Sequence, residues 1–301
     1  MKKFLKRITI GLISVFSIFL GIHLLLIHYI SRGNFYTIPK SINTVVFGHS
    51  HSASAFNDSI IKGVYNLSQN AEGYPYTFFK IKKILEENSH IENVLVEYTN
   101  NQITPWASNR IYGKYLDVNI SRMAPVMRKK VILKTCFKSK SLSKVYNSIS
   151  SSFKNNAEFV FGRSNNYLEM YWRNKSVSEN IFNSDTAKVN VNFNNRFLNI
   201  YEIQEENLIY LFKIKTLCRK YGVKLYFVRS PLPQHIYFHN EPVFNHIKDT
   251  FFSEIPFLDF KNYPLDLELF ADNQHLNRKG RDEFSHYFND SIVFNKLYKS
   301  I

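Results

Sequence analysis

Two distant stretches of the chain carry residue types that together could activate a hydroxyl group. Ser50 follows a short apolar run, residues 45–47, and the small and polar residues around it predict a sharp turn from a strand into a helix. Far along the chain, Asp272 and His275 stand three residues apart in a polar stretch before the last predicted helix. A serine becomes a nucleophile when a histidine takes its proton and a carboxylate orients that histidine. The residue types therefore predict a nucleophilic site built from Ser50, His275 and Asp272.

The elements that must position these residues alternate along the chain from about residue 43. Apolar, strand-like runs are followed by amphipathic, helix-like runs, which is typical of a mostly parallel sheet covered by helices. The predicted strands are 44–47, 64–67, 93–98, 223–228 and 256–260. The predicted helices are 76–87, 203–221, 243–252 and 281–297. Right-handed crossovers bring the carboxyl ends of such strands to one rim, where ligands bind.

The motifs around these residues resemble those of the SGNH (GDSL-like) hydrolase superfamily, in particular its membrane-anchored bacterial branch. The family's strand followed by Gly-Asp-Ser is similar to Gly48-His49-Ser50, and its Asp-x-x-His block is similar to residues 272–275. The resemblance covers 42–103 and 221–290, and it makes Ser50 the nucleophile, His275 the base and Asp272 its partner. It also implies a flavodoxin-like three-layer α/β/α fold with a mostly parallel five-stranded sheet.

The resemblance assigns the groups that bind the oxyanion to two further blocks. Residues 66–71 resemble Asn-Leu-Gly-x-x-Gly, so Ala71 stands where a glycine normally donates its backbone N–H. Residues 98–101 resemble Gly-x-Asn-Asp, which places Asn100 at the side-chain donor. The chain departs from the family at His49, which replaces an aspartate, and at the missing glycines of the second block. Ala71 fits its place only if its backbone is not left-handed.

A metal site is the competing interpretation of the first motif. Gly48-His49-Ser50-His51 is similar to the Gly-His-x-His ligand pair of calcineurin-like metallophosphoesterases. Those enzymes need several further ligand motifs, and none of these occurs in the sequence. A metal needs three or four ligands in a compact shell. We therefore expect neither a metal nor a cofactor, and we interpret His51 as a structural residue near the nucleophile.

The first thirty residues predict a membrane anchor. Residues 8–30 are apolar over a length that crosses a bilayer of about 30 Å, and no convincing cleavage site follows them. Four basic residues precede this span, so the positive-inside tendency places 1–7 in the cytoplasm and 31–301 outside it. The predicted location is the bacterial inner membrane, with a single span that contacts lipid.

Net charge and the middle of the chain are less informative. The 301 residues carry a formal charge of +15, which suits anionic surroundings, but no nucleic-acid-binding motif is present and no such partner is expected.

Residues 106–196 break the alternation of strands and helices, with weak helical patterns at 124–135 and 142–153. This insertion is interpreted either as a lid over the strand ends or as a cover for a sheet edge. Cys218 lies in an amphipathic pattern and is expected to be a buried thiol.

The sequence and the resemblance together predict a serine-dependent acyl esterase or O-acyltransferase. The acyl group favoured by the resemblance is acetyl, and the expected partner is an acylated cell-envelope polysaccharide. Anchored relatives often work with multispan membrane acyltransferases, so such a protein is a second expected partner. The alternative is a catalytically silent envelope-assembly or glycan-binding protein with the same fold, which the replacements at His49 and Ala71 favour.

Overall fold

A five-stranded, all-parallel sheet forms the centre of the molecule. The computed structural model describes residues 1–162, 164–173, 177–182, 202–234, 236 and 240–291. The strand order is β2-β1-β3-β4-β5, and the register places Val45 opposite both Tyr65 and Val94. The strands are β1 (Thr44–Phe47), β2 (Val64–Asn66), β3 (Asn93–Glu97), β4 (Lys224–Arg229) and β5 (Phe257–Asp259). The five predicted strands are confirmed, each with its ends within one or two residues.

Both faces of the central strands are buried. Neighbouring side chains of a strand point to opposite sides of the sheet, so they enter different clusters. Val45 and Val94 enter one hydrophobic cluster, whereas Val46 and Leu95 enter another. Such continuous apolar strands need cover on both faces. The helices outside the insertion are α1 (Lys2–Arg32), α2 (Ser50–Ala55), α3 (Tyr74–Glu87), the short α4 (Asn100–Ile103), α9 (Glu205–Tyr221), α10 (Glu241–Phe251) and α11 (Arg278–Asp290).

The ends of these helices follow from local chemistry. Helix α9 stops at Gly222, which has a φ of 69° and adopts the left-handed conformation that glycine accepts without steric cost. Helix α11 starts after Asn277, whose side-chain oxygen accepts the N–H of Gly280 at 3.0 Å. The predicted last helix extended to residue 297, but α11 ends at Asp290, and 292–297 lie outside the described residues.

The insertion at 106–196 is helical as far as the structure describes it. Its helices include two that periodicity indicated only weakly and several short ones that it did not predict, since short helices carry little periodic signal. Helices α6 and α8 pack closely on each other, and residues 183–196 lie outside the described part. The helices from the end of β3 onward are α4 (Asn100–Ile103), α5 (Ser108–Ile111), α6 (Leu116–Met123), α7 (Lys129–Lys138) and α8 (Leu142–Phe161).

The N-terminal helix α1 is long and apolar enough to cross a membrane, as an anchor or as a signal sequence. Its last turns contact the rest of the molecule, where Leu26 and Ile30 are buried. The ring of Phe19 also lies 4.6 Å from that of Phe153 in α8. Because of these contacts, experiments on this protein should keep the full chain. In the core, Cys218 is a free buried thiol, as expected.

Candidate active site

The turn after β1 holds Ser50 at the carboxyl edge of the sheet. Ser50 is the first residue of α2 and is partly exposed, whereas the three residues before it are buried. Gly48 makes this sharp exit possible, since a Cβ atom at this position would overlap the side chain of Glu97. The strand and the glycine therefore set the direction in which the serine hydroxyl points.

Ser50, His275 and Asp272 form a continuous chain of hydrogen bonds. The Nε2 atom of His275 lies 2.7 Å from Ser50 Oγ, and its Nδ1 lies 2.8 Å from both carboxylate oxygens of Asp272. Burial would raise the pKa of Asp272, but the bonds from His275 and from the N–H of Gln274 outweigh it and lower that pKa below 3.8. An ionised Asp272 keeps the Nδ1 proton on the imidazole. Nε2 is then free to accept the serine proton.

Backbone contacts keep the loop that carries His275 in place. Asp272 Oδ1 accepts the backbone N–H of His275 at 3.0 Å, in addition to the ring N–H. The N–H of Ala271 donates to the carbonyl oxygen of His275 at 2.8 Å, and Phe270 forms an antiparallel bridge with Leu276. The short spacing between aspartate and histidine thus gives a closed turn that presents both side chains on one side.

Glu97, at the end of β3, connects the nucleophile turn to the sheet. Its Oε2 accepts the N–H groups of His49 and Ser52, each at 2.9 Å, and its Oε1 lies 2.7 Å from His49 Nε2. Burial favours the protonated carboxyl, but His49 and the N–H donors outweigh it and lower the pKa of Glu97 to about 2. The carboxylate therefore fixes the start of α2, and with it Ser50.

His49 and His51 lie beneath the nucleophile and are both buried. Burial lowers the pKa of each below its ordinary 6.5, and the pKa of His51 is lowered most. His49 Nδ1 faces the N–H of His51, which assigns the ring proton to Nε2. That nitrogen lies 2.9 Å from Asn101 Oδ1, 3.0 Å from Thr99 Oγ1 and 2.7 Å from Glu97 Oε1. His51 donates from Nε2 to Gln274 Oε1 at 3.0 Å and so links α2 to the His275 loop. The His49 side chain thus holds the turn where the family has an aspartate.

The same three side chains are the nearest approach to a metal site among the described residues. Potential ligand atoms of His49, His51 and Glu97 all lie within 4.8 Å of one another. His49 Nε2 and Glu97 Oε1 are only 2.7 Å apart, however, which is a hydrogen-bond distance. Two ligands of one tetrahedral zinc ion lie about 3.3 Å apart. These two atoms are therefore closer together than two ligands of one zinc ion.

The buried histidines predict an acid-sensitive fold. Their folded pKa values are lowered, so the unfolded chain binds their protons first, and the free energy of unfolding falls as the pH drops below 6.5. Each histidine contributes a slope of up to about 1.4 kcal/mol per pH unit. We expect His51→Gln to reduce the slope between pH 6.5 and 5, measured by guanidinium unfolding of the full chain in mild detergent. The exposed His246, changed to Gln, is the control, and equal slopes in all three proteins would contradict the prediction.

The two predicted oxyanion residues have different surroundings. Ala71 borders the same cavity as Ser50, but its φ of 62° is left-handed, a conformation that costs roughly 1 kcal/mol without glycine. The condition that the sequence set for Ala71 is therefore not met, and its place at the cavity is what keeps it as a candidate donor. The side chain of Asn100 is engaged elsewhere. It accepts a hydrogen bond from Arg229 at 3.1 Å and donates to Glu241 at 3.0 Å. Neither Asn100 nor its neighbour Asn101 is among the residues that border the cavity. The structure thus brings Ser50 and Ala71 together, and it holds Asn100 in a separate network.

Asn101, Glu97 and Arg110 belong to the site but were not predicted from the sequence. Asn101 Oδ1 lies 2.9 Å from His49 Nε2 and accepts the hydroxyl of Thr99 at 2.9 Å. Arg110 Nη1 donates to the Asn101 carbonyl oxygen at 3.1 Å. The only signals were an acidic residue closing an apolar strand and a second asparagine beside the first. Neither signal tells which way a side chain points.

Two cavities share the border residue Asn70. The first, of about 690 Å³, is bordered by Ser50, His275 and Arg110. The second, of about 450 Å³, is bordered by Lys154, and Asn70 borders both cavities. Ser50 therefore borders a space large enough for a sugar-sized molecule, and Asn70 also borders a second, polar space.

Comparison with known proteins adds no assignment. No protein-family model matches the chain, and no curated protein matches it.

Proposed function

We propose that the protein is a serine-dependent acyl esterase or O-acyltransferase of the SGNH type, with the flavodoxin-like three-layer fold of that superfamily. The observation that carries the proposal is the hydrogen-bonded chain from Ser50 Oγ through His275 to Asp272, with distances of 2.7 and 2.8 Å. Such a chain is the arrangement that serine nucleophiles require. The strand order β2-β1-β3-β4-β5 supports the proposed fold.

In the proposed reaction, Ser50 Oγ attacks the carbonyl carbon of an acyl ester while His275 Nε2 takes its proton. The tetrahedral intermediate collapses, His275 returns the proton to the leaving alkoxide, and the acyl group stays on Ser50. Water or a glycan hydroxyl then gives its proton to His275 and attacks the acyl-serine. As the bond between the acyl group and Ser50 breaks, His275 returns that proton to Ser50 Oγ. Asn70 borders both cavities, which offer separate space for a donor and for a second hydroxyl compound, so the proposal includes transfer as well as hydrolysis.

The oxyanion of the intermediate needs donors that are already in place. The backbone N–H groups of Ser50 and Ala71 are two of the proposed donors. We assign the side-chain donor to Asn101 in place of Asn100. The oxygen of Asn101 is held by Thr99, and its amide nitrogen donates no hydrogen bond to any described residue. The assignment rests on this nitrogen having no acceptor among the described residues, since neither asparagine borders the cavity.

The proposed location is the outer face of the bacterial inner membrane, with α1 as a single-span anchor. The apolar length of α1 and the four basic residues at its start support this orientation. The proposed substrate is an acylated envelope polysaccharide, with acetyl as the favoured acyl group. A multispan membrane acyltransferase is the proposed source of that group.

A fluorophosphonate probe tests the proposal on the full chain in mild detergent. We expect one covalent adduct by intact mass, mapped to Ser50, and no adduct in Ser50→Ala, because only an activated hydroxyl displaces fluoride from the probe. If a folded native chain is not labelled and does not release acetate from acetylated polysaccharide, the proposed function is wrong and the alternative function applies. The protein would then be a catalytically silent envelope-assembly or glycan-binding protein.

A further inference from the structure

Arg110 is a buried cation at the wall of the catalytic cavity. It lies in the short helix α5 and is 4% exposed, yet it borders the same cavity as Ser50 and His275. A guanidinium group is rarely buried to this extent without a carboxylate partner. Its position next to the reactive serine suggests that its partner arrives with the substrate.

Two of the three guanidinium nitrogens of Arg110 have no hydrogen-bond partner among the described residues. Nη1 donates to the carbonyl oxygen of Asn101 at 3.1 Å, and the guanidinium carbon lies 4.6 Å from the ring centre of Trp106. Nε is buried without a hydrogen-bond partner, and Nη2 makes no hydrogen bond to any described residue. In the described part of the chain, no carboxylate lies within ion-pair distance of Arg110. Glu97 is near enough to favour the charge of Arg110, but it forms no ion pair with Arg110, and its Oε2 accepts the N–H groups of His49 and Ser52.

The electrostatic consequence is a site that suits an anion. Burial lowers the pKa of Arg110 to about 10, which still leaves the group protonated at neutral pH. A buried charge without a counter-ion is destabilising, and an anion that contacts it recovers much of that free energy. Charge-assisted hydrogen bonds from arginine to carboxylate or phosphate are among the strongest in proteins.

We propose that Arg110 binds a carboxylate or phosphate group of the substrate, next to the acyl ester that Ser50 attacks. This inference rests on the proposed function and narrows it, since the substrates would be acyl esters of acidic glycans rather than of neutral ones. Arg110 contacts the anion through Nη2, while Nη1 keeps the backbone of Asn101 in position. In this arrangement Asn101 faces the reacting ester, and Arg110 faces the acidic group of the substrate.

Trp106 provides a direct measurement of this binding, because its ring stacks on the guanidinium. We would titrate the full chain in mild detergent with glucuronate, glucose 6-phosphate or glucose at constant ionic strength, and follow tryptophan fluorescence. We expect saturable changes with the two anions and none with glucose. The signal should be lost in Trp106→Phe and retained in Ser50→Ala. Which anion binds more tightly distinguishes a carboxylate from a phosphate.

Substitutions at Arg110 test the assignment. We expect Arg110→Met to raise the Kd of the preferred anion by about tenfold or more, and Arg110→Lys to raise it less, because lysine keeps the charge. If Arg110→Met fails to fold, the titration of the native chain still tests the inference. Absence of anion binding, or equal binding of glucose, overturns it. Unchanged binding in a folded Arg110→Met also overturns it.

A kinetic comparison separates this inference from the proposed function. Arg110→Met should lower kcat/KM for an acetylated glucuronate at least about tenfold more than for an acetylated glucose. An equal loss for both esters overturns the inference, because Arg110 would then act on the reacting ester itself. If anions bind through Arg110 but the fluorophosphonate probe never labels Ser50, the anion site stands and the proposed chemistry fails.

Discussion

Removing the proposed base, His275, should nearly abolish acyl transfer. Removing its partner, Asp272, should lower the rate less. We expect His275→Ala to lower kcat for p-nitrophenyl acetate by roughly 10⁴-fold or more. The other histidine nitrogen near the hydroxyl, His49 Nδ1, lies 3.4 Å from Ser50 Oγ and accepts the backbone N–H of His51. Asp272→Asn should lower kcat by about 10²- to 10³-fold. That loss is smaller than the roughly 10⁴-fold seen for fully buried triad aspartates, because the Asp272 side chain is 55% exposed and water can also stabilise the imidazolium. The measurement is steady-state hydrolysis by the full chain in detergent.

The exposed His246 is the matched control for the loss of a histidine. Changing it to Ala should leave kcat unaltered, since it lies on the outer part of α10. If Asp272→Asn turns over like the native chain while His275→Ala is inactive, the orienting role of Asp272 is wrong. If His275→Ala keeps native turnover, the whole chain of proton transfer is wrong.

The neighbouring asparagines should give opposite results. Asn101→Ala should lower kcat by about 10²- to 10³-fold with little change in KM, because it removes a donor to the oxyanion. Asn100→Ala should affect kcat far less but lower the free energy of unfolding by roughly 1–3 kcal/mol, since buried Arg229 loses an acceptor. Kinetics and guanidinium unfolding of the two variants measure both effects.

Isosteric variants sharpen this comparison. Asn101→Asp keeps the shape but replaces the amide donor with a carboxylate, so it should be at least as slow as Asn101→Ala. The reverse pattern, with the large kinetic loss at Asn100, would return the oxyanion role to the residue that the family motif indicates. Similar small losses at both positions would mean that backbone N–H groups bind the oxyanion alone.

The sheet and the main helices could be predicted because their signals are local. Strand β1 is a buried apolar run, and its prediction as residues 44–47 matches Thr44–Phe47. The stop of α9 at Gly222 follows from a residue that accepts a positive φ. The insertion gave weaker signals, because its several short helices bury only a few residues each and show little periodicity. Helix α6 was missed for this reason.

The candidate site divides in the same way. The sequence by itself determined Ser50 at a strand-to-helix turn, and the close pairing of Asp272 with His275, because each depends on neighbours in the chain. Only the tertiary structure decided that these two parts meet, since the contact joins residues 225 positions apart. The turn of Asn100 into a polar network likewise depends on residues brought in by β4 and α10.

Glu97 shows the physical reason most clearly. From the sequence it is an acidic residue that ends an apolar strand, and its partners His49 and Ser52 lie 45 to 48 positions away. The parallel register of β1 and β3 places them together, and burial then makes the hydrogen bonds to the carboxylate decisive. Residue types and local turns are encoded in short stretches of sequence. The directions of side chains at a sheet edge are set by strand pairing, which no short stretch contains.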